Sequence, residues 1–362
     1  LSDDLSIRIT PAGQSSGAQK MDGWLEVSAR VGIETCPNSY DISYTSQSPI
    51  SAADLNVSKG DGAQVYLGGD LIITGYVDKV IETTSGDTHT LRLVGRGKCQ
   101  DLVDCSAEWP LPGGQITGAN ALDVATKLAA PYGITVSCLG PLGPVIPQFN
   151  LTLTETAYQI IEEVCRFAQL LPYEGADGNL ILNQVGTTRA ASGFVEGGDS
   201  GNIQARTLTQ SADQLYSEYD AFLMDMDVLG DTGNGGNQIG RATDPNMLRH
   251  RRRAIIAEAP AGRQNIAQAR AIWECSRRAG RSRMVNLTTD TWRDAGGTLW
   301  TPNTIVPVTL PKSNFGPVDL VIAEVVFRRG ASGTTADLTV MPSYAFLPEP
   351  ILLLPPVRGV NA

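Results

Sequence analysis

At 362 residues the chain is long enough for roughly two or three domains, each with its own core. Apolar residues make up 42% and charged residues 18%, a globular balance that excludes a disordered chain. The net charge of −10 excludes a general nucleic-acid binder, which needs a basic footprint, and no apolar run approaches a membrane span.

The opening LSDDLS is acidic and lacks a signal-peptide pattern. Short alternating runs follow, each bounded by Gly, Asp or Ser: GWLEVSARV from Gly23, then SYDISY, AQVYLGG, DLIITGYVDKVIE and THTLRLVG. They predict an antiparallel meander over 1–97, closed into a small barrel.

After Gly97 the period lengthens to that of a helix. Residues 120–130 place Leu122, Ala125, Leu128 and Ala129 on one face, with Pro131 as the stop. A second helix puts Ala157, Ile160, Ile161, Val164, Cys165 and Ala168 on one stripe, and GNLILNQVG then returns to strand.

Strand-like segments resume over 202–228, a Gly/Asn/Asp-rich loop follows, and a third helix is predicted over 264–281. Strands return from Met284 to Met341, and the tail is proline-rich and extended. The predicted fold class is mixed, β-rich α+β: two small antiparallel β-barrel domains flanking an α/β middle domain. The first barrel takes 1–97. The middle domain takes 98–200 and about 229–283, with its inserted loop and helix. The second barrel takes 201–228 and 284–345, and the tail 346–362. A weak internal repeat supports two similar barrels, since DLIITGYV (70–77) aligns without gaps on DLVIAEVV (319–326).

Motifs that carry chemistry are few. LVGRGKCQDLVDCSAEW (93–109) holds a Gly-x-Gly turn and a lysine but not the spacing of a phosphate loop. Cys99 and Cys105 suit neither a metal nor a dithiol, so the stretch reads as a domain junction. GQSSG (13–17) matches a nucleophile elbow formally, but turn and strand follow where a helix is required. DMDVLGDTGNGG (225–236) begins like a calcium loop, yet Leu229 and Gly236 stand where oxygen ligands belong.

Two histidines and scattered cysteines make no evident zinc site, and the six cysteines read as buried free thiols of a reducing compartment. Glu162/Glu163 and Asp101/Asp104 read as wet faces rather than a glycosidase pair. No catalytic, cofactor-binding or metal-binding residue is assigned.

The basic segments pose the sharpest question. Arg249, His250, Arg251, Arg252 and Arg253 run together, and the following helix carries Arg263, Arg270, Arg277, Arg278 and Arg281. Such a run fits docking onto an acidic partner or a nucleic acid. It also fits a solvated helix face with internal pairs, since Glu274 stands four residues from both Arg270 and Arg278.

In order along the chain, ITGYVDKV, LRLVGRGKCQDLVDCSA, ALDVATKLAAPYGITV, FNLTLTETAYQIIEEVCRFAQLLPYEGADGNLIL, SEYDAF and RRRAIIAEAPAGRQNIAQARAIWECSRRAGRSR resemble contractile-tail phage baseplate hub proteins of the phage Mu tail protein P type. DTWRDAGGTLWTPNTIVPVTLP continues the likeness, which spans about residues 20–345. The resemblance implies a non-enzymatic virion protein of the tail baseplate, assembled in the host cytoplasm. It implies a homotrimeric, pseudo-sixfold ring joining the tail tube to the central spike, with DNA passing through unbound and no membrane insertion. Arg249, Arg251, Arg252, Arg253, Arg270, Arg277 and Arg281 are then candidates for a subunit or partner interface. Two other classes stay open: a tail-associated peptidoglycan hydrolase, and a nucleic-acid-binding module built on the Arg-rich segment.

Overall fold

The computed structural model describes residues 5–14, 18–21, 26–46, 57–85, 88–108, 114–146, 148–151, 154–223, 239–257, 265–330 and 333–353. The first unit comprises β1 (Leu5–Thr10), β2 (Gln19–Met21), β3 (Glu26–Gly32), β4 (Ser39–Ser46), β5 (Gly62–Leu67), β6 (Asp70–Ser85) and β7 (Thr88–Gly97), in the order β3-β4-β7-β6-β5-β1-β2. The expected simple meander is corrected, because β4 pairs with β7 and β1 with β5, and three strands in sequence run side by side at β5-β6-β7. Its period-two pattern sends Val27, Ala29 and Val31 inward from β3, and Ala63, Val65 and Leu67 inward from β5.

Past Gly97 come α1 (Gln100–Asp104), β8 (Gln115–Ile116), α2 (Ala121–Ala129), β9 (Val136–Cys138), β10 (Phe149–Asn150), α3 (Ala157–Ala168), β11 (Leu171–Glu174) and β12 (Leu180–Asn183). Asn120 starts α2 through a reciprocal cap with Asp123, and Thr156 starts α3 in the same way with Gln159. All six residues of the predicted α3 stripe are buried. On α2 the buried set is Ala121, Val124, Ala125, Leu128 and Ala129, with Leu122 on its margin. Pro131 does not end the coil at once. It sits in the first turn of a short 3₁₀ segment, Ala130–Tyr132, where a missing N–H is tolerated.

The remaining elements are β13 (Thr188–Arg189), β14 (Phe194–Val195), β15 (Ala205–Gln210), β16 (Glu218–Leu223), β17 (Ile239–Thr243), β18 (Arg252–Ala257), α4 (Asn265–Arg281), β19 (Arg283–Thr289), β20 (Thr304–Leu310), β21 (Phe315–Gly330) and β22 (Gly333–Met341). The β-rich α+β class follows directly. The strands of the two ends do not form separate sheets: β3 pairs antiparallel with the second half of β21. One path, β15-β19-β22-β21-β3-β4-β7-β6-β5-β1-β2, therefore runs through both ends over a contiguous core.

Two expected groupings are corrected. β16, expected with the second barrel, pairs instead with β17 and β18, and this small sheet packs Tyr219, Ala221 and Ala257 against Ile266, Ala267 and Ala271 of α4. The helix thus covers its own three-stranded sheet rather than the α2/α3 core. β13 and β14, expected in the middle domain, pair parallel with β20. Both exchanges join segments far apart in sequence, where local periodicity carries no pairing information.

The repeat is present as topology. β6 and β21 are both 16 residues long. The first half of β6 pairs with β5 and the rest with β7; the first half of β21 pairs with β20 and the rest with β22. Matching the strands end to end sets Asp70 against Phe315, four residues from the Asp319 of the gapless sequence alignment. The bulges at Asp78 and Ala323 fall at equivalent places under this end-to-end match, a register that sequence similarity alone does not recover.

Candidate assembly surfaces and the joints between units

The arginine segment falls into groups by partner. Arg251 turns back on its own chain, its Nη1 and Nη2 donating to the carbonyl oxygens of Ala212 and Asp213 at 2.7 and 2.8 Å. Arg252 donates to the buried Asp220 carboxylate at 2.6 Å, which Arg241 also meets at 3.3 Å. Arg251, Arg253 and Arg278 gather about the ring of Tyr216, at 4.9, 5.8 and 5.6 Å from its centre. Arg249 and Arg253 are exposed. Arg263 lies outside the described residues.

The arginines of α4 serve a different purpose. Chain beyond β22 makes a short turn, Ser343–Phe346, and then crosses α4 as an extended strap. Trp273 Nε1 donates to the Leu347 carbonyl at 2.7 Å, and Arg277 donates to the same oxygen at 3.2 Å. Glu349 is shared by Arg270 of α4 and Arg166 of α3. Arg277 and Arg281 both reach Glu34, in the turn between β3 and β4. Burial and the nearby Arg281 hold the Arg277 guanidinium below the usual arginine range.

Arg270, Arg277 and Arg281 therefore bind the chain to itself. A neighbouring subunit would have to displace these contacts to use them. Gly280 belongs to the same joint, because a Cβ there would lie 2.5 Å from the Ala345 nitrogen. The tail expected to be merely extended is the strap, with Phe346 and Leu353 buried in separate cores.

The second joint lies at the stretch predicted as a domain junction. Glu174, at the end of β11, is 5% exposed. Its two carboxylate oxygens accept from the backbone N–H groups of Asn38 and Cys99, both at 2.8 Å, and the Asn38 side chain donates to its carbonyl at 3.2 Å. Burial pushes the Glu174 carboxyl up to about 7, against the two N–H bonds that favour its ionised form.

The glycines of GRGK have steric causes. A Cβ at Gly97 would stand 1.9 Å from a Glu174 oxygen, and one at Gly95 would enter the Tyr40 ring. Lys98 donates to the Gly133 carbonyl at 2.9 Å. Close backbone approach, not a phosphate cradle, fixes this sequence. The joint escaped the sequence reading, though the alternation Pro172/Glu174 on LPYE puts one carboxylate on the inward face.

The other motifs resolve simply. All six cysteines are free; Cys99 and Cys165 are buried, and Cys36, Cys105, Cys138 and Cys275 are half-buried rather than fully buried as expected. Among the described residues no group of three or more His, Cys, Asp or Glu is placed to hold a metal. The calcium-like loop and most of GQSSG lie outside the described residues, as do the side chains of His89 and Leu25. No helix among the described residues is long and apolar enough to cross a membrane.

Three family models match the chain in succession: the Mu phage baseplate assembly protein GpP-like N-terminal domain over 15–97, the baseplate hub protein gp44-like second domain over 99–184, and the Mu phage baseplate assembly protein GpP fourth domain over 263–349. The baseplate hub protein gp44 of Escherichia phage Mu is 26% identical over 334 residues, which cover 90% of this chain and 86% of that one. The 43 kDa tail protein of prophage MuSo2 from Shewanella oneidensis superposes with a TM-score of 0.83 at 25% identity, over 94% of this chain and 99% of the other. A tail protein from Neisseria meningitidis MC58 has the same fold, with a TM-score of 0.79 at 18% identity over 96% and 99% of the two chains. The ordered matches, and a relative aligned along nearly the whole length, lead to one conclusion: the chain belongs to the Mu-type family of contractile-tail baseplate hub proteins, structural components of the phage virion.

Proposed function

We propose that this chain is a hub subunit that assembles as a homotrimeric, pseudo-sixfold ring, joins the tail tube to the central spike, and surrounds the DNA path without gripping it. The observation that carries this reading is the duplicated meander, β5-β6-β7 and β20-β21-β22, in one chain. Three copies would present six like sheet surfaces, which is what a sixfold tube meeting a threefold spike requires. The α2/α3 unit lies between the two meanders in the chain. The partners are further copies of itself, the spike, and tube or adjacent baseplate proteins.

A ring of chains each carrying −10 repels phosphate within a Debye length of about 8 Å, which favours passage over binding. The protein acts as a scaffold rather than an enzyme, in keeping with a relative named as a baseplate hub protein. Electron micrographs of the purified protein, alone and with its spike protein, test the reading. Class averages should show a holed ring with six similar lobes and true threefold symmetry; compact particles without a hole under both conditions would contradict it. A cell-wall zymogram should stay uncleared, and a clearing zone would favour the hydrolase.

A further inference from the structure

From Pro245 to Ala257 the chain reads PNMLRHRRRAIIA, without an acidic residue or a lysine. Arg251 and Arg252 are held inside the chain, on backbone carbonyls and on Asp220. Arg249 and Arg253 are exposed, as are Leu248 (94%) and Ile256 (60%), and the alternation of β18 sets Arg253 and Ile256 on opposite faces, so that they flank its open edge. Arginine interleaved with large aliphatic side chains, without lysine or acid, is the composition of an interface rather than of a solvated face.

The edges of the small sheet differ as well. At the β17 edge the Gln268 side chain accepts from the Arg241 N–H at 3.0 Å and donates to its carbonyl at 2.8 Å, occupying that edge as a strand would. Among the described residues β18 pairs with β16 on one side and has no such cover on the other.

The same chain carries a surface of opposite sign. Asp78 and Asp104 flank Arg96 at 2.7 and 2.8 Å. Asp101 stands beside them, its carboxyl raised by burial and by Asp104. The Ala107 N–H donates to the Glu155 carbonyl at 2.8 Å, which carries the band past the exposed Glu108 to α3. There the Glu163 carboxyl is raised by burial and by Glu155 and Glu162. Along this band Asp78, Asp101, Asp104, Glu108, Glu155, Glu162 and Glu163 outnumber Arg96, Lys98 and Arg166, of which Arg96 pairs with Asp78 and Asp104 and Arg166 with Glu162, so an acidic surplus is left that an outside cation would relieve.

We infer that the Arg249–Arg253 edge of one copy docks on the Asp78–Glu163 acidic band of the next copy. Such a head-to-tail contact joins unlike patches of identical chains, and repetition closes it into a ring. The inference rests on the ring reading above and supplies its contact. A second copy fits better than DNA, because phosphates would leave Leu248 and Ile256 facing water and Asp220 already neutralises part of the basic charge.

Charge reversal with rescue tests it, read by light scattering and by a thermal melt that verifies folding. Arg249→Glu with Arg253→Glu should raise the subunit concentration for half-assembly at least about tenfold, and Glu108→Arg with Glu163→Arg should do the same. The quadruple variant should return to within about threefold of the wild type. Folded reversal variants that assemble like the wild type would overturn this contact and leave the ring standing. A wild type that never assembles, even with its spike, would overturn both. A salt-dependent shift of labelled DNA by the wild type, lost on Arg249→Glu/Arg253→Glu, would reassign the edge to nucleic acid.

Discussion

Two carboxylates tie this chain together, and they do so by opposite physics. Glu174 is buried and is held by backbone N–H groups with no cation on it. Glu349 is partly exposed on the strap and is held by two arginines from different helices. The first joint fixes the β4 and β7 ends against β11 through desolvated hydrogen bonds, so its strength depends on protonation and not on salt. The second clamps α3, α4 and the C-terminal strap through charge, so its strength depends on salt and little on pH near neutrality.

The comparison can be broken most sharply at Gly97. Gly97→Ala drives a methyl into the Glu174 carboxylate and should destabilise by about 3 kcal/mol or more, measured by urea unfolding. A change below about 1 kcal/mol would mean that the joint is loose.

Glu174→Gln comes next, because its amide turns a donor toward a backbone N–H that needs an acceptor. The loss should be about 1–3 kcal/mol. The Glu174 carboxyl titrates higher in the folded chain than the ordinary 4.5, near 7. The folded state therefore binds the proton more tightly, and this group's contribution is full below about 4.5 and is lost as pH rises through about 7. Unfolding free energy of the wild type should carry that downward component between these values, and Glu174→Gln should lack it.

A smaller effect is expected at the strap. Glu349→Gln should cost about 1 kcal/mol at low salt and less at 1 M salt, and the wild-type strap should loosen with salt while the Glu174 joint does not. Smaller again is Trp273→Phe, which removes one N–H bond to the Leu347 carbonyl for about 0.5–1.5 kcal/mol. Its effect should be insensitive to both pH and salt.

Much of the fold was legible because local periodicity reports burial. The α3 stripe and the inward face of β3 follow from spacing alone, and the change of period after Gly97 matches the step from β7 to α1. Pairing is another matter. β16 and the strands β17 and β18 flank a long loop, and β13 meets β20 across more than a hundred residues, so no turn chemistry announces either partnership. The repeat was visible as similar strings, but the two long strands match end to end four residues away from the alignment of those strings. The arginines were found as a cluster and not as individuals. Which ones bind Asp220, Glu349 or Glu34 depends on elements that are remote in sequence. Among the described arginines of the cluster Arg249, Arg252, Arg253 and Arg281 are exposed, Arg252 while paired to Asp220 and Arg281 while paired to Glu34.

The most direct test of the account is the solution mass of the purified chain by light scattering on a sizing column, repeated with its spike protein. The account predicts a species of three times the 38.5 kDa chain mass. A stable dimer, or a monomer that stays monomeric when the spike is added, would contradict it.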